Sequence, residues 1–249
     1  MPDKILLVTG ASRGIGRACA LLAAENGWAV GVNYREDAKA ADAVVETIAK
    51  GGGRAVALKG DVSAEADAVG MFEAATKTLG PLTAVIANAG IIAPTAKFAD
   101  MSAARMRHVV EVNVLGAFLT AREAARRLSK SSGGAGGSIV LMSSAAARLG
   151  SPNLYVDYAA SKGAIDTLTL GLAKELGPEG VRVNAIRPGL VDTEIHASGG
   201  EPDRARILGA TAPLGRPGSA EEIAEAAIWL ISDAASYVTG ALLDVSGGR

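Results

Sequence analysis

Cysteine, histidine and aromatic side chains are what this chain of 249 residues has least of. Its single cysteine, Cys19, excludes an internal disulfide and points to the cytoplasm. Two histidines, His108 and His196, stand without a carboxylate pattern around them, and no cluster has the spacing of metal ligands, so no metal is expected. Neither charge sign dominates: 25 basic residues face 26 acidic ones, with no long block of either. That balance argues against nucleic acid or an anionic membrane as the main partner. Long apolar runs are missing too, the uncharged stretch around Val85–Ala96 being interrupted by Asn88, Gly90 and Pro94. The opening MPDKILLVTG has only a short apolar run and lacks a signal-peptide design. Aromatics make up 4% of residues against 49% hydrophobic, so a large core must be built mostly from Ala, Val, Leu and Ile.

What is present is alternation. Short β-branched runs at Ile5–Val8, Ala29–Val32, Ala55–Leu58, Ala84–Ala87, Ser138–Met142, Val181–Ile186 and Leu242–Val245 read as strands. Between them, Arg17–Glu25, Asp37–Ala49, Glu65–Leu79, Ala103–Leu128 and Tyr158–Leu176 carry helical patterns. Continuous apolar strands separated by helices predict one doubly wound α/β domain over 1–249: a seven-stranded parallel sheet covered on both faces. The Gly-rich segment 129–138 reads as a loop before the fifth strand, not as a domain linker, because two further strands complete the same sheet.

The first strand runs into TGASRGIG, with Gly10, Gly14 and Gly16. A Gly-rich turn is weak evidence by itself, and a tight ligand-free βα turn is the plain alternative. Its place between first strand and first helix is better evidence, because backbone amides at a helix N-terminus can approach phosphate there. The remaining strand ends read Asn33-Tyr34-Arg35, Asp61-Val62, Asn88-Ala89-Gly90, Ser143-Ser144 and Arg187-Pro188-Gly189. Together they describe one crevice along the carboxyl edge of the sheet. Then comes DYAASKG, where Tyr158 and Lys162 stand four positions apart, on one face of a helix, with only small residues between. Alone, that pair reads equally as a half-buried Tyr and a solvated Lys.

In this order and near this spacing, the glycine turn, Asp61-Val62, Asn88-Ala89-Gly90, Asn113, Ser144, the Tyr158–Lys162 pair, Pro188-Gly189 and Thr193 resemble the short-chain dehydrogenase/reductase family along essentially the whole chain. The second half is similar to poorly assigned bacterial oxidoreductases near the glucose dehydrogenases and to 3-oxoacyl-acyl-carrier-protein reductases. The resemblance implies hydride transfer between a nicotinamide and a small carbonyl or secondary alcohol, with Asn113, Ser144, Tyr158 and Lys162 as the catalytic set. Tyr158 is then the acid/base, and Lys162 lowers its pKa and holds the nicotinamide ribose. A cation about 4 Å from the phenol would favour the phenolate by roughly 4 kcal/mol, or about 3 pK units. Ser144 would hydrogen-bond the substrate oxygen, with Ser143 as its competitor. The Ser144–Tyr158 interval is about one residue longer than the commonest in the family, which predicts a bulged loop at Leu149–Leu154. Asn113 would distort its helix and hold a water that relays protons from Lys162.

Cofactor contacts are implied for Gly10, Ser12, Arg13, Gly14, Ile15, Gly16, Asn33, Tyr34, Arg35, Asp61, Val62, Asn88, Ala89, Gly90, Tyr158, Lys162, Pro188, Gly189, Val191 and Thr193. The end of strand two offers Asn33 and Arg35 where an NAD-selective site carries a carboxylate. With Arg13 nearby, NADP(H) is the preferred cofactor and NAD(H) a possible one, Glu36 being the opposing charge. A substrate lid is expected near 193–211, with His196 as a candidate substrate contact. Arg126-Arg127 reads either as a landing point for an acidic carrier protein or as a solvated helix end. The Ala-, Gly- and Leu-rich helices 103–128 and 158–176 predict a homotetramer. A carrier-protein-linked reductase and a catalytically silent cofactor-binding sensor stand as alternatives; the intact Asn, Ser, Tyr and Lys set speaks against the second.

Overall fold

The computed structural model describes residues 4–201 and 203–249, without the side chains of His196 and Ser198. The expectations for residues 1–3 and for the His196 side chain therefore lie outside the described residues.

Seven strands, β1 (Ile5–Val8), β2 (Ala29–Tyr34), β3 (Ala55–Lys59), β4 (Ala84–Ala87), β5 (Gly137–Met142), β6 (Val181–Pro188) and β7 (Leu242–Val245), form one sheet in the order β3-β2-β1-β4-β5-β6-β7. Every pairing is parallel, with Leu6 beside Val30 on one flank and Ala84 on the other. Among the described residues ten α-helices accompany it: α1 (Gly14–Glu25), α2 (Ala38–Lys50), α3 (Glu65–Leu79), α4 (Ala103–Val110), α5 (Gly116–Leu128), α6 (Ala146–Leu149), α7 (Val156–Leu176), α8 (Ile195–Ser198), α9 (Arg204–Gly209) and α10 (Ala220–Ile231).

Side chains alternate across each strand, so a fully buried sheet needs apolar residues at consecutive positions. Leu6, Val8, Val30, Val32, Ile86 and Val140 build the core beneath α1, α2 and α10. Ile5, Leu7, Val85, Ile139, Leu141 and Val183 build the opposite one, beneath α3, α5 and α7. Phe72 is the one phenylalanine at its centre, as the scarcity of aromatics requires. Cys19 is packed inside α1, and burial pushes its thiol up to about 12.

The helix read over Ala103–Leu128 carries a π-helical turn at Glu111–Leu115, centred on Asn113, the residue expected to distort it. Several strands also run further, so that Asn33, Tyr34, Arg187 and Pro188 belong to strands and not to the loops after them. Strand order reverses between β1 and β4, and the loops leaving these two strands part to open a crevice at the carboxyl edge.

Candidate active site

The glycine turn is braced from both sides. Asn33 accepts from the Gly10 amide at 3.0 Å and donates to the Leu58 and Gly60 carbonyls. Asn88 donates to the Thr9 and Gly10 carbonyls, and the Thr9 hydroxyl accepts from the Asn88 and Ala89 amides. The Asn33 carboxamide is thus spent on backbone and braces the turn, while the residue still borders the groove. At Gly16 a Cβ would lie 2.3 Å from the Gly10 oxygen and 2.5 Å from Asn88 Nδ2, so no larger residue fits. Arg13, the residue before α1, is extended and provides no side-chain cap, which leaves the first-turn amides of Gly14, Ile15 and Gly16 free of one. Uncapped helix amides beside a turn pressed this close to the sheet fit a dinucleotide pyrophosphate.

From that turn a cleft of about 310 Å³ runs past Ser12, Arg13, Tyr34, Arg35, Asp61, Val62 and Ala89. At its outer end Arg35 pairs with Glu36 at 2.6 Å and stands 3.9 Å from Asp61. Burial opposes the Asp61 charge, but the Ser63 hydroxyl and amide and the Arg35 cation hold its carboxyl below the usual range. Through Ile15, Asn88, Gly90, Thr193 and Ile195 the cleft joins a second cavity of about 140 Å³. Met142, Ser144, Tyr155, Tyr158, Lys162, Pro188, Gly189 and Val191 line that end.

Ser144 stands two residues past the end of β5, and Tyr158 lies in the first turn of α7; both hydroxyls border the same cavity, and Ser144 opposes the rise in the Tyr158 pKa. The Ala146 amide donates to Ser144 Oγ at 3.1 Å. Ser143 does other work: it donates to Asp166 at 2.7 Å, and Arg187 takes the other Asp166 oxygen. Both serines border the cavity, and Ser143 is the one whose hydroxyl is committed to Asp166. Tyr155 stacks edge-on against Tyr158 at 5.7 Å. Buried Asp157, held by Arg105, accepts from the Tyr158 amide and fixes the start of the helix. In the loop before it Gly150, Ser151 and Asn153 all have positive φ.

Lys162 is buried and donates to the Met142 carbonyl at 2.7 Å, its Nζ 5.6 Å from the Tyr158 ring centre. Burial lowers its pKa to about 8, against the Asp166 charge that raises it. Burial likewise pushes the Tyr158 phenol up to about 12, against the Ser144 hydrogen bond. The expected depression of Tyr158 by Lys162 is therefore absent: the ammonium is turned toward a strand-end carbonyl, and dehydration of the phenol prevails. Asn113 accepts from the Ile91 amide at 2.8 Å and donates to the Ile91 carbonyl and to Ser161. A Cβ on Gly90 would stand 3.3 Å from Asn113 Oδ1 and 3.5 Å from Lys162 Nζ, so the three meet at one point.

Other expectations are settled by contacts. Arg126 and Arg127 both pair with buried Glu123, and Arg126, exposed in the last turn of α5, is the solvated helix end that was one of the two readings offered. His108 is exposed, and no group of metal-ligating residues occurs among the described residues. The segment after β6 bridges through Val191 to Gly218 before α8 and α9. Sequence reasoning passed over Tyr155, three residues before Tyr158 on the same helical face, and Asp166, one turn beyond Lys162. It also passed over Arg249, for which the sequence holds no signal.

Comparison with known proteins agrees with this arrangement. A family model described as Enoyl-(Acyl carrier protein) reductase matches residues 10–249. The chain is 51% identical over 245 residues to the uncharacterized oxidoreductase YgfF of Escherichia coli (strain K12), covering 98% of this chain and 99% of that protein. It is 37% identical to the cis-4-hydroxycyclohexanecarboxylate dehydrogenase of Sinomonas cyclohexanicum, covering 99% and 96% of the two. Identity to glucose 1-dehydrogenase 2 of Bacillus subtilis (strain 168) is 36%, with 100% and 95% covered. A solved short-chain type dehydrogenase/reductase from Mycobacterium marinum matches with a TM-score of 0.92 at 35% identity, over 98% of this chain and 94% of that one. With braced glycine turn, strand-end hydroxyls and buried Tyr–Lys pair in one cleft, this oxidoreductase belongs to the short-chain dehydrogenase/reductase family.

Proposed function

We propose that the protein transfers hydride between NADP(H) and a compact ketone or secondary alcohol, with Tyr158 moving the proton. The observation that carries this reading is the Ser144–Tyr158 hydroxyl pair, facing a small cavity continuous with the glycine groove. A bound nicotinamide supplies the hydride. Ser144 and Tyr158 hold the substrate oxygen, and Tyr158 gives its proton to that oxygen as negative charge develops. A phenol pushed up to about 12 stays protonated at neutral pH, which suits the reducing direction. Lys162, close to Asn113 and Gly90, holds positive charge beside the phenol and donates to the cofactor ribose. Asn113 fixes the Ile91 backbone and keeps a path for proton return.

NADP(H) preference rests on Arg13 and Arg35 at the outer end of the groove. Glu36 and Asp61 share the Arg35 charge, so the preference is about tenfold and NAD(H) is also used. The two named relatives with a substrate in their names act on six-membered-ring alcohols, and a cavity of about 140 Å³ fits that size. Exposed Val110, Leu115, Phe118 and Leu170, on and around α5 and α7, favour a homotetramer. The one-cysteine composition favours the cytoplasm.

The test is Tyr158→Phe, assayed on a panel of ring ketones and alcohols with both nicotinamides. Turnover should fall at least a thousandfold while nicotinamide binding, followed by fluorescence, changes less than threefold. A variant retaining more than a tenth of wild-type turnover would remove Tyr158 from the reaction.

A further inference from the structure

The substrate end of the cleft has an uneven charge inventory. Among the described residues that line it there is no aspartate or glutamate, and the two cations are Lys162 and Arg249. Lys162 is engaged by the Met142 carbonyl. Arg249 is not engaged: its Nη1 is buried and has no hydrogen-bond partner. Its backbone oxygen, by contrast, is fixed by Arg148 Nη2 at 2.8 Å and by the Ser246 hydroxyl at 2.9 Å. The residue is anchored while its charged end lacks an acceptor. A guanidinium nitrogen withdrawn from water without a partner is unfavourable, and a planar carboxylate is the acceptor that its fork fits.

We propose that Arg249 receives a carboxylate of the substrate, so that the enzyme acts on small oxo acids and their hydroxy acids. The inference rests on the hydride-transfer reading above and adds the substrate's second functional group. The carbonyl lies at Ser144 and Tyr158, and the carboxylate is carried on the same compact skeleton, within the span of one cavity of about 140 Å³. Because no aspartate or glutamate lines the cavity among the described residues, discrimination against the neutral analogue falls on Arg249. One charge-assisted contact gives a preference of roughly 10- to 100-fold.

Two measurements test this. In the first, 4-oxocyclohexanecarboxylate and its methyl ester are compared by kcat/KM. Wild type should favour the acid by at least tenfold; Arg249→Gln should bring the ratio near one, chiefly through KM, and Arg249→Lys should keep an intermediate ratio. A wild-type ratio at or below one, or a ratio unchanged in Arg249→Gln, overturns the proposal. So does an equal loss on acid and ester, which would make Arg249 structural. In the second, binding of the unreactive cyclohexanecarboxylate and cyclohexanecarboxamide is measured by calorimetry. Binding of the acid alone, lost in Arg249→Gln, supports the anion site even if no ketone of the panel is reduced, an outcome that would sink only the catalytic reading. Equal binding of acid and amide, or none of either, overturns the site.

Discussion

Replacing Lys162 by methionine removes a buried charge at nearly constant length, and the structure sets how the fold should respond to pH. Burial takes this amine from its ordinary 10.5 to about 8. For a base shifted downward, the cost of holding the charge is fully present below pH 8 and is released as pH rises toward 10.5. The unfolded chain binds more protons in that window, so wild-type stability rises with pH there. At one pK unit per 1.36 kcal/mol, the cost is about 3 kcal/mol at pH 7 and about 1 kcal/mol at pH 9.5. Lys162→Met also leaves the Met142 carbonyl without its donor, at about 1–3 kcal/mol, but that loss does not depend on pH. Urea unfolding of both proteins at pH 7 and 9.5, at one protein concentration and without added nicotinamide, isolates the difference. Relative to wild type, the variant should be better off at pH 7 than at pH 9.5 by about 2 kcal/mol. A gap that is the same at both values, or that favours the variant at pH 9.5, would refute the reasoning.

Three further outcomes are expected. With NADP(H) and NAD(H) compared by kcat/KM, wild type should favour the former by about tenfold, and Arg35→Ala and Arg13→Ala should each reduce that ratio; an NAD-favouring enzyme indifferent to both changes contradicts the assignment. Gly16→Ala, whose methyl meets the Gly10 oxygen and the Asn88 amide, should cost about 1–3 kcal/mol of stability and at least tenfold in nicotinamide affinity, read by unfolding and fluorescence titration; normal affinity would mean that the turn has slack. Light scattering at micromolar concentration should give four subunits, and a monomer would leave the apolar surface of α5 and α7 without its expected cover.

The strands were legible because each is short, apolar and bounded: Ile5–Val8, Ala84–Ala87 and Leu242–Val245 end where they were read to end. Tyr158 and Lys162 were legible as one face of a helix because the spacing alone carries that. The distortion at Asn113 was expected, but not its partner, since the Ile91 backbone offers a donor and an acceptor from a distant loop. Nor was the direction of the Tyr158 pKa: whether an ammonium faces a phenol or the Met142 carbonyl is decided by packing. α10 went unnamed although Ser219 and Glu222 form a capping box, a sign present in the sequence. Arg249 could not be read at all, because its place in the cavity depends on Arg148 and Ser246 meeting it after β7.

The bracing of Thr9 and Gly10 by Asn33 and Asn88 has a consequence for timing. A loop that must settle around its ligand gives up conformational entropy on binding, and its association slows while it does so. Here the settling is completed during folding, by hydrogen bonds that tie β1, β2, β3 and β4 to one another at the mouth of the groove. The glycine-turn end of the cleft is thus shaped by the fold before any ligand arrives.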